Sequence, residues 1–152
     1  MHIALGCDHR GYQVKLAIID FLKKKGHEYQ DYGCFGTDSV DYPDFAEPVA
    51  KAVADGKFDF GILICGTGIG MSITANKVKG IRAALCCTAS DARMTREHND
   101  SNVMCLSGDK VKPGEVAEFV RNFLTAKFED GGRHRRRLDK VRAIEAKFLD
   151  NA

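Results

Sequence analysis

The stretch from Phe58 to Gly70 reads FDFGILICGTGIG, and it decides the fold. Its first half is almost continuously apolar up to Cys65, a pattern that predicts a strand buried on both faces at the centre of a parallel sheet. Its second half is rich in glycine and precedes a helix that we expect to run to about Val78. This order of strand, turn and helix is typical of doubly wound α/β domains.

Short apolar runs alternate with longer amphipathic runs on both sides of this stretch. Before it, they predict strands at 2–6 and 27–32 and helices at 12–25 and 43–54. After it, they predict strands at 81–86 and 103–106, helices at 90–97 and 113–128, and an extra helix at 133–149. The 152 residues therefore predict a single doubly wound, Rossmann-like α/β domain with a five-stranded parallel sheet, helices on both faces and a C-terminal extra helix.

The composition argues against several classes of function. A net charge of +2 is too small to draw the chain onto nucleic acid or an anionic membrane. No apolar run approaches the ~20 residues that span a bilayer, and the first residues do not resemble a secretory signal. Six cysteines without a Cys-x-x-Cys pair indicate reduced thiols rather than a zinc site or a disulfide framework. We therefore expect a cytoplasmic protein without nucleic-acid or membrane partners.

The glycine-rich turn Gly66-Thr67-Gly68-Ile69-Gly70 is the first candidate site. Backbone N–H groups that open a helix favour negative charge, so the turn suits a phosphate or a developing oxyanion. It has neither the lysine of a P-loop nor the glycine spacing of the dinucleotide fingerprint, which argues against a nucleotide-binding redox domain. The alternative is a structural turn that lets the helix pack closely on the strand.

Cys65 is the first candidate for chemistry. It ends the central strand beside the turn, in an environment that favours a thiolate able to act as a base or nucleophile. The alternative is a buried core cysteine, which is the role we expect for three others, Cys7, Cys86 and Cys105.

Other polar side chains are expected at the same carboxyl edge of the sheet. Asp8-His9 follows the first strand and His98-Asn99 follows the predicted fourth helix. The two histidines can bind phosphate or donate a proton near neutral pH, and Asp8 and Asn99 can bind sugar hydroxyls. Each also has a structural alternative as a hydrogen-bonded or capping group. For the remaining histidines, His2, His27 and His134, we expect structural roles.

The last predicted helix begins with a basic run, RHRRR at 133–137. One interpretation is a solvated helical face, the usual role of a charge run. In the other, Arg133 and Arg137 are four residues apart, share one helix face and clamp an anion. The spacing alone favours neither interpretation.

Seven stretches of the sequence closely resemble ribose-5-phosphate isomerase, type B. They are 6–11 (GCDHRG), 38–44 (DSVDYPD), 65–72 (CGTGIGMS), 75–77 (ANK), 80–84 (GIRAA), 97–99 (EHN) and 131–137 (GGRHRRR). Each is weak alone, but together and in this order they are highly specific. The resemblance implies an aldose–ketose isomerase that interconverts ribose 5-phosphate and ribulose 5-phosphate without a metal or organic cofactor. It also implies a homodimer, with tetramers as an alternative, whose active sites are shared between subunits.

The resemblance also assigns roles to residues. Cys65 matches the family's base, and Met71 stands where relatives without this cysteine carry a glutamate. The loop Gly66 to Gly70, with the Thr67 hydroxyl, matches the part that holds the enediolate. His98 matches the ring-opening acid. The remaining matches bind the substrate: Asp8 and Asn99 its sugar, and His9, Arg133 and Arg137 its phosphate.

One position departs from the family pattern. Where many members carry an arginine after the fifth strand, this chain offers Lys110, preceded by one extra residue. A lysine keeps the charge but loses the bidentate fork of a guanidinium. Two other functions stay open from the sequence. One is isomerisation of a six-carbon 6-phosphate such as allose or galactose 6-phosphate, and the other is a non-catalytic phosphosugar-binding module.

Overall fold

A computed structural model describes residues 1–149 and contains one sheet of five parallel strands. The strands are β1 (His2–Cys7), β2 (Glu28–Asp31), β3 (Phe60–Cys65), β4 (Ala83–Leu85) and β5 (Val103–Ser107). Their order in the sheet is β2-β1-β3-β5-β4. The predicted fold class is confirmed, and β3 is the central strand, as its continuous apolar pattern indicates.

Six α-helices accompany the strands in the described residues. They are α1 (Tyr12–Lys24), α2 (Pro43–Ala54), α3 (Ile69–Ala75), α4 (Ala89–Asn99), α5 (Val116–Thr125) and α6 (Gly132–Leu149). Two short 3₁₀ turns, His9–Gly11 and Pro113–Glu115, lead into α1 and α5. None of the helices in this part of the chain is long and apolar enough to cross a membrane.

Several element boundaries differ from the sequence prediction, among them those of α5, which covers Val116–Thr125 rather than 113–128. Helix α3 ends at Ala75 rather than near Val78, and β4 covers three residues rather than 81–86. The Asn76 side chain explains the early end of the helix. Its amide donates to Ser72 O (2.9 Å) and Ala83 O (2.8 Å), and its carbonyl accepts from Ala83 N–H (2.9 Å), so it ties the end of α3 to the start of β4.

Helices cover the sheet on both faces. Side chains of α1, α4 and α5 pack on one face in a cluster that includes Ile62 and Ile64 of β3. Side chains of α2 and α3 pack on the other, in a cluster that includes Leu63 and Cys65. Ile62, Leu63 and Ile64 have no solvent exposure, and full burial of such a side chain contributes ~1.5–3 kcal/mol. This double burial places the end of β3 in the middle of the molecule.

The chain connections open a crevice beside the end of β3. From β1 the chain proceeds to β2 on one side, and then crosses to β3 on the other side of β1. In doubly wound folds, ligands bind where the connections diverge in this way, at the carboxyl ends of the strands. Here Asp8 to Arg10 leave the end of β1, and the glycine-rich turn leaves the end of β3.

Helix α6 lies outside the two-layer packing. It packs against α4 through His134 and Leu138, its two buried side chains in the described part of the helix. Farther along, Val141, Ile144 and Phe148 are 53%, 60% and 67% exposed. Their spacing of three and four residues forms an exposed apolar stripe along the helix.

Candidate active site

The crevice at the ends of β1 and β3 forms an open cleft of about 400 Å³. It is built from three segments: the turn after β1, the connection before α2 and the glycine-rich turn after β3. The lining residues are Asp8, His9, Arg10, Ser39, Val40, Asp41, Tyr42, Cys65, Gly66, Thr67 and Gly70. The structure therefore brings Asp8, His9, Cys65 and the glycine-rich turn together, as the sequence predicts.

Cys65 lines this cleft, and backbone contacts hold it in place. Its side chain is buried, and Sγ accepts the N–H of Gly68 at 3.2 Å. The Cys65 carbonyl accepts Gly108 N–H (2.8 Å), and the next carbonyl, of Gly66, accepts the Ser107 hydroxyl (2.7 Å). A hydrogen bond donated to sulfur stabilises negative charge on it, so the geometry suits a thiolate base.

The glycine-rich turn is shaped by close approaches that exclude larger residues. Gly68 has φ +77°, and a Cβ there would lie 2.6 Å from Leu85 Cδ1 and 2.9 Å from Leu106 O. Ile69 N–H donates to Thr67 Oγ1 at 3.2 Å, which leaves the Thr67 hydroxyl hydrogen free to donate. Among the described residues, the backbone N–H groups of Thr67 and Gly70 have no acceptor, so they are available to a ligand oxygen.

Asp8 and His9 are fixed by the backbone around them. Asp8 Oδ1 accepts the N–H groups of Arg10 (2.9 Å) and Gly11 (3.2 Å) and so caps the turn into α1. The Nδ1 atom of His9 accepts Val40 N–H at 3.2 Å. In a neutral imidazole, a nitrogen that accepts leaves the proton on the other nitrogen. His9 therefore presents Nε2–H as a donor.

Sequence reasoning missed the Arg10–Asp109 pair. The Arg10 Nε donates to Asp109 Oδ1 at 3.1 Å, and Nη2 contacts Oδ2. The guanidinium lies over Gly66, where a Cβ would be 3.0 Å from Arg10 Nε. Lys110, which follows Asp109 in the sequence, is exposed and does not line the cleft. Asp109, the residue before Lys110, thus supplies a carboxylate that holds Arg10 over the turn. The cleft residues Ser39, Asp41 and Tyr42 were likewise missed as site residues, although they lie in the quoted stretch 38–44.

The expected position of His98 and Asn99 was wrong. They do not follow α4 but are its last two residues, and they do not lie at the carboxyl edge. Helix α4 runs back across the sheet and leads into β5, which begins at Val103. Cys65 pairs with Ser107 at the other end of β5, four residues or ~13 Å farther along the strand.

His98 and Asn99 instead line a second cavity, of about 240 Å³, between α4 and α6. The other lining residues are His134, Arg137, Leu138 and Val141. The His98 ring stacks on the His134 ring at 4.3 Å, and His134 Nε2 lies 3.3 Å from Glu129 Oε2. Burial lowers the pKa of His134. Arg133 is exposed and lines neither cavity. A single chain therefore places most of the predicted site residues in two separate groups, with Arg133 and Lys110 in neither.

The His98–Glu129–His134 cluster has metal-ligating side chains, with ligand atoms within 4.8 Å of one another. A metal ion lies in the plane of each imidazole ring that binds it. The His98 and His134 rings are parallel and stacked, with an interplanar angle of 0°, so no point lies in both ring planes. The cluster as arranged does not fit a metal ion.

Comparisons of the sequence and of the structure both find sugar-phosphate isomerases. Residues 3–141 match the ribose/galactose isomerase family. Ribose-5-phosphate isomerase B of Escherichia coli is 46% identical over 144 residues, which cover 94% of this chain and 95% of the relative. The structure of the Clostridium thermocellum ribose-5-phosphate isomerase B matches with a TM-score of 0.93 and 51% identity, and the match covers 97% of this chain and 99% of that chain. The structure of the Mycoplasma genitalium ribose-5-phosphate isomerase B with bound ribulose-5-phosphate matches with a TM-score of 0.89 and 44% identity, and the match covers 95% of each chain.

Three of the other cysteines are buried thiols that hold their protons tightly. Burial raises the pKa of Cys7 and of Cys86 to about 12 and raises that of Cys105 well above its usual range. These three thiols stay protonated at neutral pH, in keeping with the core roles that the sequence predicts. Cys87 is the exposed cysteine.

Iodoacetamide should therefore distinguish the cysteines of the folded protein. At pH 8 a thiol with a pKa of about 12 is thiolate to the extent of roughly one part in ten thousand, so Cys7, Cys86 and Cys105 should stay unmodified. Cys87 and Cys65 should react, and ribose 5-phosphate should protect Cys65 alone. Peptide mass spectrometry measures each site. Modification of Cys86 as fast as Cys87 would contradict this description.

Proposed function

Because the chain belongs to the ribose/galactose isomerase family, we propose that it interconverts ribose 5-phosphate and ribulose 5-phosphate with Cys65 as the base. The relatives that carry these names, one of them with bound ribulose-5-phosphate, support this substrate over a six-carbon sugar phosphate. The observation that carries the mechanism is that Cys65 lines the open cleft and that its sulfur accepts a backbone N–H. A module that only binds sugar phosphates would not need such a base.

The proton transfer proceeds from carbon to sulfur and back. The thiolate of Cys65 takes the proton from C2 of the open-chain aldose, which leaves an enediolate with negative charge on oxygen. The Cys65 thiol then returns the proton to C1, and the O2 hydroxyl proton moves to O1, which completes the ketose. A base of this kind contributes ~10²–10⁴-fold to the rate.

The glycine-rich turn stabilises the enediolate. The free N–H groups of Thr67 and Gly70 and the Thr67 hydroxyl border the same cleft as Cys65. Fixed donors aimed at the oxygen where charge develops lower the barrier by ~3 kcal/mol each. Asp8 Oδ1 is occupied by backbone N–H groups, so Oδ2 is the atom that binds a sugar hydroxyl.

Two steps need residues from outside the cleft. Ribose 5-phosphate is mainly a closed ring, so an acid must protonate the ring oxygen before C2 can lose its proton. We assign this role to His98, with Asn99 binding the sugar.

His9 donates Nε2–H to the phosphate. Arg133 and Arg137, which form no salt bridge within residues 1–149, supply positive charge there. Lys110 has no contact with the cleft, so its part in phosphate binding has no support in the geometry.

A second copy of the chain would bring these groups together. Cys65 and His98 lie at opposite edges of the sheet, so one chain does not hold a complete site. The exposed apolar stripe of α6, Val141, Ile144 and Phe148, is a surface that a second copy can cover. We therefore assign the protein a homodimer with shared sites. A tetramer would be a pair of such dimers. The chain's six free cysteines fit a cytoplasmic location.

Replacing Cys65 with Ala tests the assignment of the base. We expect kcat for ribose 5-phosphate to fall by ~10²–10⁴-fold with little change in KM, because the loss is confined to the proton transfer. Initial rates of ketose formation measure both constants. Cys87→Ala, which removes an exposed thiol, is the matched control and should keep full activity. A Cys65→Ala enzyme with about a tenth of the wild-type kcat or more would show that Cys65 is not the base.

Mixing two inactive variants tests the shared site. In a Cys65→Ala/His98→Ala heterodimer, one site takes both replacements and the other takes none. Random reassortment of equal amounts should therefore restore about a quarter of the wild-type rate, since half of the dimers regain one of two sites. The rate is measured after joint unfolding and refolding, with each variant refolded alone as the control. No recovery in the mixture, with dimers present, would place Cys65 and His98 in the same chain's site.

A further inference from the structure

Lys15 of α1 is a fully buried lysine whose role the reaction does not explain. It has no solvent exposure, although lysines are almost never fully buried unless they are paired. Its Nζ donates to Asp31 Oδ1 at 2.7 Å and to the carbonyl of Cys34 at 2.5 Å. It also lies over the rings of Phe35 (5.0 Å) and Tyr12 (5.6 Å). A buried ammonium with this many partners fixes those partners firmly in place.

Three of these four partners lie at the end of β2 or in the connection between β2 and α2. Asp31 ends β2, and its Oδ1 also accepts Gly33 N–H at 2.9 Å. Cys34 and Phe35 follow directly. The backbone of Gly33 and Cys34 is paired with Cys7 through two hydrogen bonds of 2.7 Å, beside the end of β1. Lys15 thus anchors the first part of residues 33–42, which we call the cleft wall.

The far part of the cleft wall forms one side of the substrate cleft. Ser39 to Tyr42 line it, and a Cβ on Gly70 would lie 2.7 Å from the Tyr42 ring. The Val40 N–H donates to His9 Nδ1 at 3.2 Å. This contact keeps the His9 proton on Nε2. Displacement of the wall would therefore release the His9 ring from its single tautomer.

We propose that Lys15 is a positioning residue for the substrate site, which acts through the cleft wall on His9. Its ammonium holds the start of the wall, the wall holds the Val40 N–H, and this N–H orients the His9 donor toward the phosphate. Lys15 touches neither the cleft nor the substrate. The inference rests on the proposed function only for the identity of the bound phosphate, since the coupling from Lys15 to His9 exists in the free protein.

The test compares wild type with Lys15→Met, which keeps the apolar stem and removes the ammonium. We expect KM for ribose 5-phosphate to rise ~10-fold while kcat stays within about twofold, because misplacement of a binding group weakens substrate binding. In the free variant, ¹⁵N NMR of the His9 side chain should show a mixture of tautomers in place of the Nε2–H form. This signal does not depend on turnover, so it reports on Lys15 even if the substrate assignment fails.

Two further variants separate positioning from general stability. Lys15→Met/Asp31→Asn removes both charges, so an unpaired, half-buried carboxylate cannot mask the result. This double variant should show the same KM and NMR changes. Leu22→Ala, a fully buried position on the same helix, should lower stability without changing KM or the His9 signal. The proposal is overturned if folded Lys15 variants keep the wild-type KM and His9 tautomer, or if Leu22→Ala raises KM equally. Failure of both Lys15 variants to fold would also overturn it, since Lys15 would then serve the whole fold.

Discussion

Burial of β3 on both faces fixes the position of Cys65. The strand is covered by α1, α4 and α5 on one side and by α2 and α3 on the other, so its end cannot shift without disturbing both layers. Backbone contacts then hold the residue itself: its carbonyl accepts Gly108 N–H, and its sulfur accepts Gly68 N–H. If this sulfur is the base, as we propose, the sugar must be brought to it, because the residue is held rigidly. The wall, the glycine-rich turn and the cap at Asp8 are all arranged around that fixed atom.

The chemistry is divided between two regions of the surface. One chain places Cys65, the glycine-rich turn and His9 in one cleft, and places His98 with Arg137 in a second cavity near the opposite edge. In the proposed reaction, proton abstraction uses the first group, and ring opening and much of the phosphate charge use the second. If two chains combine these groups, as we propose, the enzyme is active only when it is assembled. The apolar stripe on α6 would then contribute to catalysis through association.

Much of the fold and half of the site could be predicted from the sequence, because local patterns determined them. The apolar run before Cys65 and the glycines after it predicted the central strand and its turn. His98 was misplaced although the predicted parallel sheet implies its position: a helix that joins two parallel strands runs back across the sheet and ends at the amino edge, beside the start of the next strand. Arg10–Asp109 is a pair separated by 99 residues, and no local pattern predicts it. Lys15 could have been found: it lies three and seven residues before Ile18 and Leu22, on the buried face of α1.

The most direct test of the shared site is a crystal structure of the Cys65→Ala protein with ribose 5-phosphate bound. The account predicts C2 of the sugar within ~4 Å of the residue 65 side chain, at reacting distance from the missing sulfur. The same sugar should have His98 and Arg137 of a second copy near its ring oxygen and its phosphate. A sugar bound in the cleft with no residue of a second copy within ~10 Å, beyond the reach of any direct contact, would contradict the account.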